Sequence, residues 1–164
     1  MEVLSVKGIL IARFLPPDLT EEEFLKWWPR LLERERDKYT IFRSENMILP
    51  PGKQLILTSG INASSMKYFA VGTGAFTGAT SGDSSLASEL FRKAPTSFTQ
   101  SGNQITVSTL FTTSQGNGTY TNAGLFGGAA TGAANSGTLE THAGYSITKT
   151  SAASLTNDYV FLIN

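Results

Sequence analysis

The sequence predicts a mainly β fold: an antiparallel β-sandwich preceded by an N-terminal extended arm and a short amphipathic helix. Three observations carry this. Beyond residue 53 the chain consists of short apolar or alternating runs between Gly, Asn, Ser and Thr turns. No full-length helical period intervenes, which is the pattern of an antiparallel sandwich or barrel. Ahead of that region stands one strong helix-start signal, at Thr20. Charge is also divided: nine of the thirteen acids and nine of the thirteen bases fall within residues 1–53. Two structural regimes are therefore expected, with the seam at the turn signal Pro50-Pro51-Gly52: residues 1–52 as an N-terminal arm and amphipathic helix, and residues 53–164 as the β domain.

Taken in order, Met1–Phe14 (MEVLSVKGILIARF) has aliphatic and β-branched patches around Gly8 and reads as an extended arm or strand, ended by Pro16-Pro17. Thr20 with Glu23 forms a capping box, and Leu19 with Phe24 has the spacing of a hydrophobic staple. Glu21 and Glu22 place negative charge where the helix dipole favours it. Phe24, Leu25, Trp27, Trp28, Leu31 and Leu32 then make one broad stripe at helical period. Pro29 lacks an amide hydrogen, so a kink is expected, or one helix ending near Trp28 and another starting at Pro29. Glu33–Lys38 alternates in sign, as a solvated helical end does. Each tryptophan can bury about 150–250 Å², so the pair lies either on this chain's own sheet or on another subunit.

Expected strands are Gln54–Thr58, Lys67–Thr73, Thr96–Gln100, Gln104–Thr113, Gly118–Leu125, Thr138–Ala143 and Asp158–Ile163. Ser101-Gly102-Asn103 and Gln115–Gly118 read as tight hairpin turns. Ser85–Lys93 is a short helix or an irregular strand. In Gln104–Thr113, Ile105, Val107, Thr109 and Phe111 share one face, as in a half-buried strand. Asp158–Ile163 is apolar on both faces, so it is central or covered by a neighbouring subunit. Gly124–Gly144 is a small-residue stretch read as a flexible hairpin tip or a contact loop for a partner.

Composition narrows function mainly by exclusion. Thirteen bases balance thirteen acids, so no nucleic-acid partner is expected. Without cysteine there are no disulfides, thiolate metal sites or thiol nucleophiles. Lys7 and Arg13 interrupt the apolar run Val3–Leu15, so neither a signal peptide nor membrane insertion is expected. Gly72–Gly78 (GTGAFTG) lacks the Lys-Ser/Thr of a phosphate loop and the third glycine of a dinucleotide turn. His142 is the single histidine. It has no companion for a transition-metal site, and a triad with Asp83 or Asp158 lacks the supporting nucleophile motif. Asp83, Glu89, Glu140 and Asp158 are too sparse to nominate a hydrolytic carboxylate pair, and Glu89 with Arg92 reads as a local ion pair or subunit contact. No catalytic residue, cofactor or metal is expected, and the chain does not read as an enzyme.

Three later stretches carry a resemblance: Tyr68–Lys93 (YFAVGTGAFTGATSGDSSLASELFRK), Thr119–Gly128 (TYTNAGLFGG) and Gly144–Asn164 (GYSITKTSAASLTNDYVFLIN). Together, over roughly residues 54 to 164, they resemble a β-rich domain of small virion proteins of tailed bacteriophages, tail-fibre-like or capsid-decorating. In that domain a Y-x-A-V-G-T-G strand, a D-x-x-L-x-x-E-x-x-R-K segment, an A-G-L-F turn and a final I-T-K-T … L-T-x-D-Y-x-F strand recur in this order. The resemblance implies a virion structural protein, an appendage held by its N-terminal arm and helix to the capsid, neck or tail, and a homotrimer. Ile9, Ile11, Phe24, Trp27, Trp28 and Leu31 are then the expected assembly contacts. The alternative is a host-receptor or carbohydrate-binding module of a phage tail. It would read a host-surface glycan through the loop-proximal aromatics Phe76, Tyr120, Phe126 and Tyr145.

Overall fold

The computed structural model describes residues 5–62 and 64–164. Strand β1 (Val6–Leu15) is followed by helix α1 (Glu21–Trp27), a 3-10 turn (Trp28–Arg30), α2 (Glu33–Arg36) and a second 3-10 turn (Asp37–Tyr39). Next come β2 (Thr40–Ile48), α3 (Pro50–Thr58), β3 (Tyr68–Gly72), β4 (Glu89–Lys93) and β5 (Ser97–Ser101). The chain finishes with β6 (Gln104–Phe111), β7 (Gly118–Gly127), β8 (Thr138–Lys149) and β9 (Ser154–Ile163). Among the described residues the strands form one sheet in the order β4-β3-β7-β8-β2-β1-β9-β6-β5, and their pairings are antiparallel.

The mainly β, antiparallel character expected from the sequence is found, but its continuity differs from that of two separate sheets. Strand β2 belongs to both halves: Thr40–Asn46 pair with β1, while Met47 and Ile48 pair with β8. The sheet curls about this shared strand until its two flanks meet. The Phe69 ring of β3 lies 5.8 Å from both Phe111 of β6 and Tyr159 of β9. These residues, with Leu10, Val107, Leu125, Tyr145 and Phe161, form the main core. Burying a side chain of this size contributes about 1.5–3 kcal/mol.

The expected N-terminal arm is, from Val6 onward, a strand near the middle of this sheet; Met1–Leu4 lie outside the described residues. Its register runs from Val6↔Ile163 to Leu15↔Ser154 on β9, with β2 on its other side. The physical reason is its double-sided hydrophobicity. Leu10 and Ala12 face the main core while Ile9 and Ile11 join Val160 on the outer face, and a strand apolar on both faces is stable only where both are covered. The two strands from before residue 52, β2 and β1, thus lie side by side between β8 and β9 in one sheet.

The helix start is as the sequence predicts. Thr20 accepts from the Glu23 amide at 3.2 Å, and the Glu23 carboxylate accepts from the Thr20 amide at 2.9 Å. Helix α1 stops at Trp27 and Pro29 sits in the first turn of the 3-10 segment, where its missing amide costs no hydrogen bond. This helical layer packs on the outer face of the sheet, with Phe24 and Trp28 stacked at 5.6 Å over Leu15 and Leu110. Two guanidinium groups lie over the Trp28 ring, Arg13 at 5.5 Å and Arg36 at 5.3 Å from its centroid. Arg13 is itself buried, donating to Asp158 and, at 2.7 Å, to Glu33. Burial pushes the Asp158 carboxyl up, and the Arg13 charge opposes that shift.

Two elements depart from expectation. Gln54–Thr58 is the end of helix α3, not a strand, because Pro50 and Pro51 occupy its first turn and start it. Strand β2 was not among the expected strands. The expected strand at 138–143 extends to Lys149, and Ser85–Lys93 resolves into a loop ending in β4. No helix of the described residues is long and apolar enough to cross a membrane.

Candidate functional site: two pinned loops

Two long small-residue segments, residues 73–88 between β3 and β4 and residues 128–137 between β7 and β8, lie together on the outer face of the sheet. Glycine makes the close approach of the first segment possible. A Cβ on Gly124 would meet the Thr141 carbonyl and the Leu139 and Leu86 side chains, and one on Gly144 would come within 3.0 Å of the Phe76 ring. Into the shallow channel left by the missing side chains the loop lowers Leu86, which packs with Ala70, Phe126, Leu139 and Ala130 as a second core.

Polar side chains then fasten both loops. His142 on β8 places Nδ1 2.6 Å from Asp83 Oδ2, and Nε2 3.4 Å from Asn122 Oδ1 on β7. Asp83 also accepts from the Thr80 amide at 2.9 Å and the Thr80 hydroxyl at 2.6 Å. Burial acts to raise the Asp83 carboxyl, but these Thr80 and His142 bonds outweigh it and hold the group below the ordinary carboxylate value. The Phe76 ring stands edge-on to His142 at 5.0 Å. Both ring nitrogens therefore already have partners and the imidazole is 5% exposed, so this pair holds a loop in place and presents no free base.

The second loop is fastened by Asn135 and Arg92. Asn135 accepts from the Leu86 amide at 2.8 Å, returns a bond to the Leu86 carbonyl at 3.2 Å, and donates its own amide to Glu89 at 2.7 Å. It adopts a left-handed backbone, φ 54°, which asparagine tolerates better than most residues. Arg92 forms a bidentate pair with Glu89, at 2.5 and 2.7 Å, and donates to the Thr131 and Ser136 carbonyls at 2.9 and 3.2 Å. Its guanidinium lies 4.5 Å from the Phe126 ring. The Glu89–Arg92 pair read from sequence is present, but its side chains are only 2% and 4% exposed. Buried and multiply bonded, it organises a loop where a surface pair would add little.

The result is a preformed surface of Gly, Ser, Thr and Ala over buried fastenings; of Gly124–Gly144, read as a flexible tip or contact loop, residues 124–127 and 138–144 are strand, and the remaining loop is tied at Thr131, Asn135 and Ser136. The expected receptor aromatics are placed differently. Tyr120, Phe126 and Tyr145 are each about 1% exposed or less, so their rings offer no stacking face, and Phe76 is half-buried against His142. Among the expected assembly contacts, Phe24 and Trp28 are buried in this chain's own helical layer, Ile9 and Ile11 are buried on the outer sheet face, and Trp27 and Leu31 are half-buried. Sequence reasoning missed the apolar side chains that do face outward there: Leu25 is 47% and Leu32 56% exposed. The helical stripe contains both, but in α1 the i, i+4 pair Phe24 and Trp28 sets the buried face and leaves Leu25 a residue off it, while Leu32 lies beyond the helix break at Pro29.

No family model matches the chain, and no curated protein or solved structure shows significant similarity to it.

Proposed function

We propose that this chain is a structural component of a tailed-phage virion, an appendage of decorating or fibre-like type whose curled sheet works as a sandwich-like knob and whose helical layer attaches it to the particle. The observation that supports the attachment face is the helical layer itself. Phe24 and Trp28 bind it to the sheet, and Leu25 is left outward beside half-buried Trp27. An exposed apolar side chain on an otherwise anchored layer is suited to a groove on capsid, neck or tail. In a symmetric particle many such weak contacts add through avidity.

The test is incorporation. Leu25→Glu changes an exposed position, so the protein should melt within about 0.5 kcal/mol of wild type. When supplied to particles assembled without their own copy, it is expected to stay in the supernatant while the wild type co-sediments. Normal incorporation of the variant would remove the helical layer from the attachment face.

A second reading, a reader of host-surface glycans, is favoured by the pinned loops, because a preformed polar surface loses little entropy on binding. A glycan-array signal lost on replacing Thr77 or Ser81 with bulky residues, at unchanged stability, would support it. Failure of the wild type to bind any host-surface glycan would count against it.

A further inference from the structure

The two edges of the sheet are treated differently. Edge strand β4 carries Glu89, Arg92 and Lys93, whose side chains are tied to the 128–137 loop and to Glu21 of α1. Edge strand β5, Ser97-Phe98-Thr99-Gln100-Ser101, has no charge and no proline, and its last three residues are exposed. Natural sheets guard open edges with charges, prolines or coverings because a bare edge recruits another strand. The two-residue turn Gly102-Asn103 closes on the pair Ser101↔Gln104, and antiparallel bonded pairs recur at every second residue. Ser97, Thr99 and Ser101 therefore bond to β6, while the amides and carbonyls of Phe98 and Gln100 point away from the sheet. No other backbone partner takes them up among the described residues.

A hollow flanks this edge on each side. On the outer face one of about 390 Å³ lies between Leu31, Leu32 and Pro29 of the helical layer and Thr99, Gln104 and Thr106 of the sheet. On the inner side one of about 220 Å³ is lined by Ile61, Asn62, Phe98, Gln100 and Ile105. A strand added to β5 would send alternate side chains toward these two hollows, the arrangement by which strand addition gains both affinity and register.

We infer that β5 pairs with β5 of a second copy, antiparallel and centred on Thr99, forming a two-fold dimer through a continuous sheet. The strand is complementary to itself in this register. Thr99 faces Thr99 across the axis, Phe98 faces Gln100 of the other copy, Ser97 faces Ser101, and no like charges meet. The outward amides and carbonyls of Phe98 and Gln100 become bonded pairs. The axis lies normal to the sheet, so both helical layers fall on one side and the two exposed Leu32 side chains approach each other over the outer hollows. Such a contact closes at two copies, unlike the trimer expected from the resemblance.

The absence of cysteine makes the test clean. Facing residues of a non-bonded antiparallel pair have Cα atoms about 4.5 Å apart, within the range a disulfide spans. Full-length Thr99→Cys should therefore oxidise to a covalent dimer roughly a hundredfold faster than Ser114→Cys, on an exposed turn, because pairing raises the effective thiol concentration. Sedimentation equilibrium should find the wild type dimeric. Gln100→Pro removes an outward amide, and Thr99→Lys puts like charges on the axis; both should be monomers whose melting temperature does not vary with concentration and matches that of the wild type diluted until it dissociates. A wild type that is monomeric at its highest soluble concentration would overturn the inference. So would a dimer that survives in both variants, or a Thr99→Cys cross-link no faster than the control.

Discussion

Glu140 on β8 is 3% exposed, and one of its carboxylate oxygens has no hydrogen-bond partner. Its backbone carbonyl receives the Leu49 amide at 2.9 Å as α3 begins, and Gly52 packs directly on it. The side chain itself lies against Gly127, where a Cβ would come within 2.8 Å of Oε1, and burial pushes its carboxyl up to about 7. Because the folded state holds the proton more tightly than the unfolded chain, this residue costs nothing below the ordinary carboxylate value. It destabilises progressively as pH rises from about 4.5 to 7. Thermal melts should show stability falling across that window by an amount on the order of 3 kcal/mol relative to Glu140→Gln, which should remove the fall and melt higher than wild type at pH 8. A variant with the same pH slope as wild type would show that the carboxyl is hydrated after all. The sequence offers Glu140 and His142 no partner at catalytic or metal-ligating spacing. That His142 meets Asp83 across 59 residues is a product of loop packing on a glycine-lined face, and no local pattern encodes it. Glu89 and Arg92, three apart, were legible because their pairing is local; their burial was not, since it depends on a loop forty residues away.

Elements with a local physical cause were readable, and those decided by neighbours were not. The capping box at Thr20, the break at Pro29 and the β5–β6 turn each rest on side chains within a few residues, and each is present. Strand β2 has strict alternation, with Phe42, Ser44, Asn46 and Ile48 more buried than Ile41, Arg43, Glu45 and Met47. That signal lay in the sequence, hidden by assigning the charges to a helical regime. In α3 the pair of prolines reads locally as a turn, whereas a helix also accepts proline in its first turn. The pinned loops give a prediction at this scale. Asn135→Ala removes the two side-chain bonds to Leu86 of the 73–88 loop, at a position whose φ suits asparagine, so a cost of about 1–3 kcal/mol is expected. Hydrogen exchange should accelerate locally at the Leu86 and Asn135 amides while the β1 and β9 amides stay protected. Unchanged exchange at Leu86 would show that apolar packing of Leu86 alone holds the loop.

At the scale of the molecule, the charge-rich first third and the Gly/Ser/Thr-rich remainder suggested two regimes, and the sheet interleaves them. Composition reflects which faces meet water; it does not report strand order. Removing residues 1–50 would delete β1 and β2, break the β8–β2–β1–β9 continuity and expose Tyr159, Phe161 and Tyr145 of the main core. The truncated chain is expected to aggregate or to lack a cooperative melt by calorimetry. A soluble truncation with a sharp transition would mean that β8 and β9 can close on each other directly.

The pairing of β1 with β9 also imposes an order on synthesis. Strand β1 leaves the ribosome early, whereas β9, which covers the edge that β2 leaves open, is made some 140 residues later, a wait of roughly ten to thirty seconds at usual elongation rates. Through that interval the nascent chain carries an uncovered edge that is greasy on both faces, Ile9 and Ile11 on one side and Leu10 and Ala12 on the other. Ribosome stalling before β9, more than damage to the finished protein, is therefore where this chain is most exposed to aggregation and most dependent on a chaperone that shields bare strands.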